Sequence, residues 1–83
     1  MTVSVQVLFF SVLRDITGLP EMALDLPAGS TVAQLLHTLY ERWPALAGWD
    51  GSLLVAVNQT YVKREATIPD RAEVAVMPPV QGG

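Results

Sequence analysis

Glu73-Val74-Ala75-Val76-Met77-Pro78-Pro79-Val80-Gln81-Gly82-Gly83 closes the sequence, and its reading organises the rest. Val74-Ala75-Val76-Met77 is an apolar strand that runs straight into two prolines. Neither proline has an N–H to give to a ladder, so the sheet is expected to stop there. The tail, 78–83, is expected to be flexible, and it finishes on two residues without side chains. Chance places Gly at both last positions roughly once in 200 sequences, from a Gly frequency of about 7%. Two readings are open at this point. One is a frayed terminus, the common state of domain ends. The other is a probe: Gly-Gly is thin enough for a narrow channel, adopts backbone angles closed to other residues and leaves its carboxylate unhindered.

Thr2 to Phe10 alternates as a strand. Val3, Val5, Val7 and Phe9 form a uniformly apolar face for the core. Ser4, Gln6, Leu8 and Phe10 form a face that begins polar and turns apolar, so Leu8 and Phe10 are expected to be exposed apolar groups. Ser11 to Thr17 predicts a short helix, with Ser11 as N-cap, Gly18 closing it in the left-handed region, and Val12, Leu13 and Ile16 on one face. Arg14 and Asp15 then point outward. Arg14 is either a solvated charge or a partner contact. Pro20 opens a second strand, Glu21 to Leu26, and Pro27-Ala28-Gly29 is a turn. Thr31-Val32-Ala33-Gln34 fits a capping box, and Val32, Leu35, Leu36, Leu39 and Trp43 make one apolar stripe after it. His37 falls off that stripe and is expected in solvent. Pro44 stops the helix. Ala45 to Ser52 is expected to be a loop in which Trp49 packs over the helix end, without an assigned function. Leu53 to Val57 is a third strand, apolar on both faces. Asn58-Gln59-Thr60 turns the chain into a short strand at Tyr61-Val62. Lys63-Arg64-Glu65 is expected to be solvated. Ile68-Pro69-Asp70-Arg71 turns into the last strand, Ala72 to Met77.

The order β-β-α-β-(β)-β, with no repeat and no linker, predicts one α+β domain over 1–83: a mixed sheet with one main helix packed on one face. In a β-grasp (ubiquitin-like) arrangement the first and last strands lie side by side and parallel in the middle of that sheet. Parallel neighbours share an end. Phe10 and Leu8 should therefore sit near Met77 and Ala75 on the face away from the helix, with Tyr61 able to join them. The result is an apolar patch at the exit of the Gly-Gly tail, and patches of that kind mark partner sites.

Composition excludes much else. Eighty-three residues make one small domain, and with 51% apolar residues and few charges the chain is not disordered. A net charge of −3 without a basic stripe argues against nucleic acid. No apolar run approaches the length of a membrane span and no basic n-region precedes a leader, so a cytoplasmic location is expected. There is no cysteine, which removes disulfides, thiolate catalysis and thiolate metal sites, and the single histidine cannot hold a metal alone. Small acidic domains with so little acid–base equipment bind or deliver more often than they catalyse.

Val7-Leu8-Phe9-Phe10, Leu13-Arg14-Asp15 and Gly18 resemble the opening of the small subunits of molybdopterin synthase, the MoaD-type sulfur carriers. Leu26-Pro27-Ala28-Gly29-Ser30-Thr31-Val32 with Leu35-Leu36 resembles that family's approach to its helix, and Val55-Ala56-Val57-Asn58-Gln59-Thr60 its third strand and turn. The stretch from Glu73 to Gly83 resembles the family's ending almost position by position, and the Pro-Pro-Val-x-Gly-Gly terminus is the most specific element. One departure stands at Asp70-Arg71-Ala72, where the family usually has Asp-Gly-Asp.

The resemblance implies a non-catalytic, sulfur-donating subunit of a sulfurtransferase complex. A partner adenylating enzyme (MoeB-type) uses ATP to convert the Gly83 carboxylate to an acyl-adenylate, and a sulfur donor then replaces AMP to leave a thiocarboxylate. The tail inserts into the large synthase subunit, in a heterotetramer of two small and two large subunits. There its sulfur passes to a cyclic pyranopterin phosphate to build the dithiolene of the molybdenum cofactor. The carrier itself binds no cofactor and no metal. Gly83 is implied as the reacting residue, Gly82 as the one that permits close approach, and Phe10, Arg14, Tyr61 and Met77 as partner contacts. Three other readings fit parts of the sequence. A sulfur carrier for thiazole synthesis shares the fold and the Gly-Gly end, although those carriers lack the Pro-Pro step. A ubiquitin-like modifier conjugated through Gly83 begins with the same acyl-adenylate. A plain interaction domain needs no chemistry at the terminus.

Overall fold

The computed structural model describes residues 1–79. In chain order the elements are β1 (Thr2–Phe9), α1 (Val12–Thr17), β2 (Glu21–Pro27), α2 (Val32–Arg42), a 3₁₀ segment (Pro44–Ser52), β3 (Leu54–Val57), β4 (Thr60–Tyr61) and β5 (Glu73–Met77). They form one five-stranded sheet in the order β2-β1-β5-β3-β4. β1 and β5 pair in parallel at its centre, and the remaining pairs are antiparallel. This is the α+β, β-grasp arrangement that the element order predicts.

The alternation in β1 sets the core. Val3, Val5, Val7 and Phe9 are buried, as are Val74 and Val76 of β5 beside them. Period-2 geometry sends these side chains to one face, and α2 covers that face with Val32, Leu35, Leu36 and Leu39. The capping box forms: Thr31 Oγ1 accepts the Gln34 N–H at 3.3 Å, and Gln34 Oε1 accepts the Thr31 N–H at 2.8 Å. Two further N–H groups of the first turn, from Val32 and Ala33, donate to the carbonyls of Ala66 and Arg64. The β4–β5 connection is thereby pinned to the start of α2.

Three local expectations change, and the departure at Asp70-Arg71-Ala72 takes a definite conformation. Ser11 stands at the head of α1 but makes no side-chain cap, because its φ of 53° turns the backbone sharply there. The Phe9 N–H is held by the Pro20 carbonyl while Leu13 is fully buried, so the chain must reverse between them. The expected loop after α2 is a nine-residue 3₁₀ helix. Pro44 pre-sets its first φ, and Leu46, only 1% exposed, anchors it. Arg64 is an ion-pair partner of Asp50 rather than a free solvated charge. Finally, Arg71 adopts φ 62°, so the turn before β5 takes a left-handed conformation without glycine. Its N–H donates to the Ser4 carbonyl at 2.7 Å, and the Ser4 N–H donates to Asp70 Oδ1 at 2.8 Å. These two bonds to β1 hold the turn in place. By contrast, Gly18 closes α1 at φ 75° as expected, with its N–H donating to the Arg14 carbonyl.

Candidate functional site

The parallel β1–β5 pair decides where the site lies. Leu8 is opposite Ala75 and Phe9 opposite Val76, so the next residues, Phe10 just past β1 and Met77 at the end of β5, fall side by side. On the other flank of β5, Leu54 pairs with Met77 and Ala56 with Ala75. Ala56 in turn pairs with Tyr61 on β4. Leu8, Ala75, Ala56 and Tyr61 thus form one row across the face that α2 does not cover. Phe10 remains 40% exposed and Tyr61 66% exposed. The β3–β4 hairpin that presents Tyr61 turns through Asn58 and Gln59 at φ 50° and 71°, the geometry of a tight type I′ turn. Asn58 is locked to β5, donating its N–H to the Glu73 carbonyl and accepting the Glu73 N–H at Oδ1.

A groove of about 540 Å³ opens where β1 and β5 end. Phe10, Ser11 and Val12 line it from the β1–α1 corner, Met77, Pro78 and Pro79 from the end of β5, and Trp49 from the 3₁₀ segment. Pro78 and Pro79 are half-buried. Among the described residues the lining holds no ionisable side chain, and its surface suits apolar groups. Among the described residues no cluster of three or more His, Asp or Glu is placed to hold a metal ion.

The expected contact residues divide accordingly. Phe10 and Met77 share the groove. Tyr61 lies on the same sheet face, two strands away from β5. Arg14 is exposed on α1 and does not line the groove. Gly82 and Gly83 lie outside the described residues. Trp49 is the groove residue that sequence reasoning passed over. The signal was a large aromatic isolated between Gly48 and Gly51.

Next to Trp49, Asp50 ties three segments together. Its Oδ1 accepts the Tyr40 hydroxyl at 2.6 Å and Arg64 Nη1 at 3.0 Å, and Arg64 Nη2 donates to the Asp50 carbonyl. Hydrogen bonds from Tyr40 and then Arg64 hold the Asp50 carboxyl below the usual carboxylate range. Burial, reinforced by the Asp50 carboxylate, pushes the Tyr40 hydroxyl well above its ordinary value.

Fold and site together define a ubiquitin-like β-grasp domain with an apolar groove where β1 and β5 end. The chain belongs to the ThiS family, whose sequence model matches residues 7–83. It is 43% identical over 81 residues to the molybdopterin synthase sulfur carrier subunit of Escherichia coli (strain K12), covering 95% of this chain and 99% of that one. It is 34% identical over 82 residues to the protein of the same description from Arabidopsis thaliana, covering 99% of this chain and 85% of that one. Among solved structures it is similar to SAMP1, small archaeal modifier protein 1, from Haloferax volcanii. There the TM-score is 0.82 at 26% identity, covering 96% of this chain and 99% of the other.

Proposed function

We propose that this chain is the sulfur carrier subunit of a molybdopterin synthase. The observation that carries the reading is the apolar, ion-free groove between Phe10, Met77 and Trp49 at the root of a segment ending in Gly82-Gly83. A body that docks and a terminus that reacts are separate parts, as delivery requires. The relatives named above support the pathway.

In this scheme the body aims and the terminus reacts. A MoeB-type partner binds ATP, and the Gly83 carboxylate attacks the α-phosphorus, with pyrophosphate leaving. Activation is needed because a free carboxylate is a poor electrophile. A sulfur nucleophile then attacks the acyl carbon and AMP leaves, giving the thiocarboxylate. Phe10, Met77 and Tyr61 seat the large synthase subunit, Arg14 adds a polar contact at the rim, and Gly82 allows the terminus to pass through a narrow channel. Each visit delivers one sulfur to a cyclic pyranopterin phosphate, so a dithiolene takes two, which suits a complex of two small and two large subunits. The carrier holds no cofactor of its own, and the work takes place in the cytoplasm.

Intact-protein mass spectrometry after incubation with ATP, a sulfur source and the activating enzyme tests this directly. The expected product is heavier by one sulfur-for-oxygen exchange. Deleting Gly83, or adding a residue after it, is expected to abolish sulfur transfer while folding and large-subunit binding persist. Unchanged transfer by either variant refutes the assignment. The likeness to SAMP1 favours one second reading, a protein modifier, for which the decisive finding is an isopeptide bond between Gly83 and a lysine of a target protein. A carrier serving thiazole synthesis is distinguished by which acceptor takes the sulfur.

A further inference from the structure

Trp49 and Asp50 lie between two glycines, Gly48 and Gly51, inside a 3₁₀ segment nine residues long. Runs of 3₁₀ helix longer than 3–4 residues are uncommon because their hydrogen bonds are poorly aligned. Glycines on both sides add no side chain to stiffen the backbone. Something outside the segment must therefore hold this pair. Leu46 does so at the start of the segment, buried in the core. At the far end the holding group is Asp50. Its carboxylate takes the Tyr40 hydroxyl from α2 and the Arg64 guanidinium from the β4–β5 connection, and its carbonyl takes a second Arg64 N–H. Arg64 is itself fixed, since its carbonyl accepts the Ala33 N–H at the start of α2. The residue directly before this clamp is Trp49, a wall of the docking groove.

Building on the carrier reading, we propose that Trp49 is a partner-contacting residue and that Tyr40, Asp50 and Arg64 are positioning residues that hold its indole against the groove. The occupant is the large synthase subunit, seated on the groove through apolar side chains. Among the described residues the lining carries no charge, and the groove is continuous with the Phe10–Met77 patch that the carrier reading assigns to that subunit. Trp is among the residues that most often dominate such contacts.

The test uses the full chain with Trp43→Phe, which leaves Trp49 as the single tryptophan of the two. Trp43, partly buried against the core, packs edge-on to Phe9, and a phenylalanine keeps an aromatic ring there. Tyr40→Phe and Arg64→Gln are then added singly. Acrylamide quenching and the emission maximum of Trp49 are read without any partner, and affinity for the large subunit is read by calorimetry. Trp49→Ala, in the natural background, is expected to weaken large-subunit binding about tenfold or more, with Trp49→Phe recovering most of it. Tyr40→Phe and Arg64→Gln are expected to raise quenching of Trp49 and to weaken binding several-fold. Val3→Ala is the control: it trims a buried core residue at the start of β1, the end opposite the groove, and lowers stability without touching the clamp. It should leave both the quenching and the affinity unchanged. The proposal is overturned if the clamp variants leave Trp49 quenching unchanged, or if their affinity falls no further than that of Val3→Ala. Should the natural chain bind no large subunit at all, the carrier reading fails, and the partner contact with it, while the quenching result still decides whether the clamp positions Trp49.

Discussion

Replacing Phe10 with alanine measures how much of the docking energy the groove supplies. The ring is 40% exposed in the free domain. A phenylalanine has roughly 200 Å² to bury, which leaves about 80 Å² for a partner to cover. At ~25 cal/mol per Å² the loss is about 2 kcal/mol of binding, or about 30-fold in Kd. The covered remainder of the ring contributes to the fold itself, so Phe10→Ala must be checked by thermal unfolding and assayed well below its Tm. Phe10→Leu serves as the companion variant: it keeps most of the buried contact and should lose less binding. Titration calorimetry against the large subunit gives the number. A change under about threefold for folded Phe10→Ala would show that the partner does not cover this ring, because even half the expected burial corresponds to about fivefold.

Two further outcomes concern the frame that carries the groove. Arg71→Gly should raise stability by roughly 0.5–1 kcal/mol, seen as a Tm rise of a few degrees, because a left-handed non-glycine residue costs about 1–2 kcal/mol and glycine's extra unfolded-state entropy cancels only part of that; an unchanged or lower Tm would show that the turn carries no strain. The Asp50 clamp should weaken at both pH extremes. The folded-state value of Asp50 is depressed, so its contribution is present above 3.8 and is lost as pH falls through the lower folded value. The value of Tyr40 is raised, so its contribution is complete below 10.0 and is lost as pH rises beyond that. Tm measured against pH should therefore lose part of its acid limb in Asp50→Asn and part of its alkaline limb in Tyr40→Phe. Superimposable profiles would remove the clamp as a source of stability.

Much of this protein was legible in local pattern. The alternation of Val3, Val5, Val7 and Phe9 fixed which face of β1 enters the core, and the stripe from Val32 to Leu39 fixed which face of α2 meets it. Thr31 and Gln34 marked the helix start, and Gly18 the end of α1. Strand parity even placed Phe10 and Met77 together once the first and last strands were set in parallel. These features share one cause: each depends on residues a few positions apart, where the period of the backbone does the sorting. The features left to the tertiary structure depend on groups far apart in sequence. Ser11 and Arg71 take positive φ because long-range bonds to Pro20 and Ser4 hold the chain around them, against local preference. Trp49 joins the groove because Tyr40 and Arg64 converge on its neighbour from two other segments. Periodicity states which face a side chain takes, but only the packed chain decides which distant partner waits there.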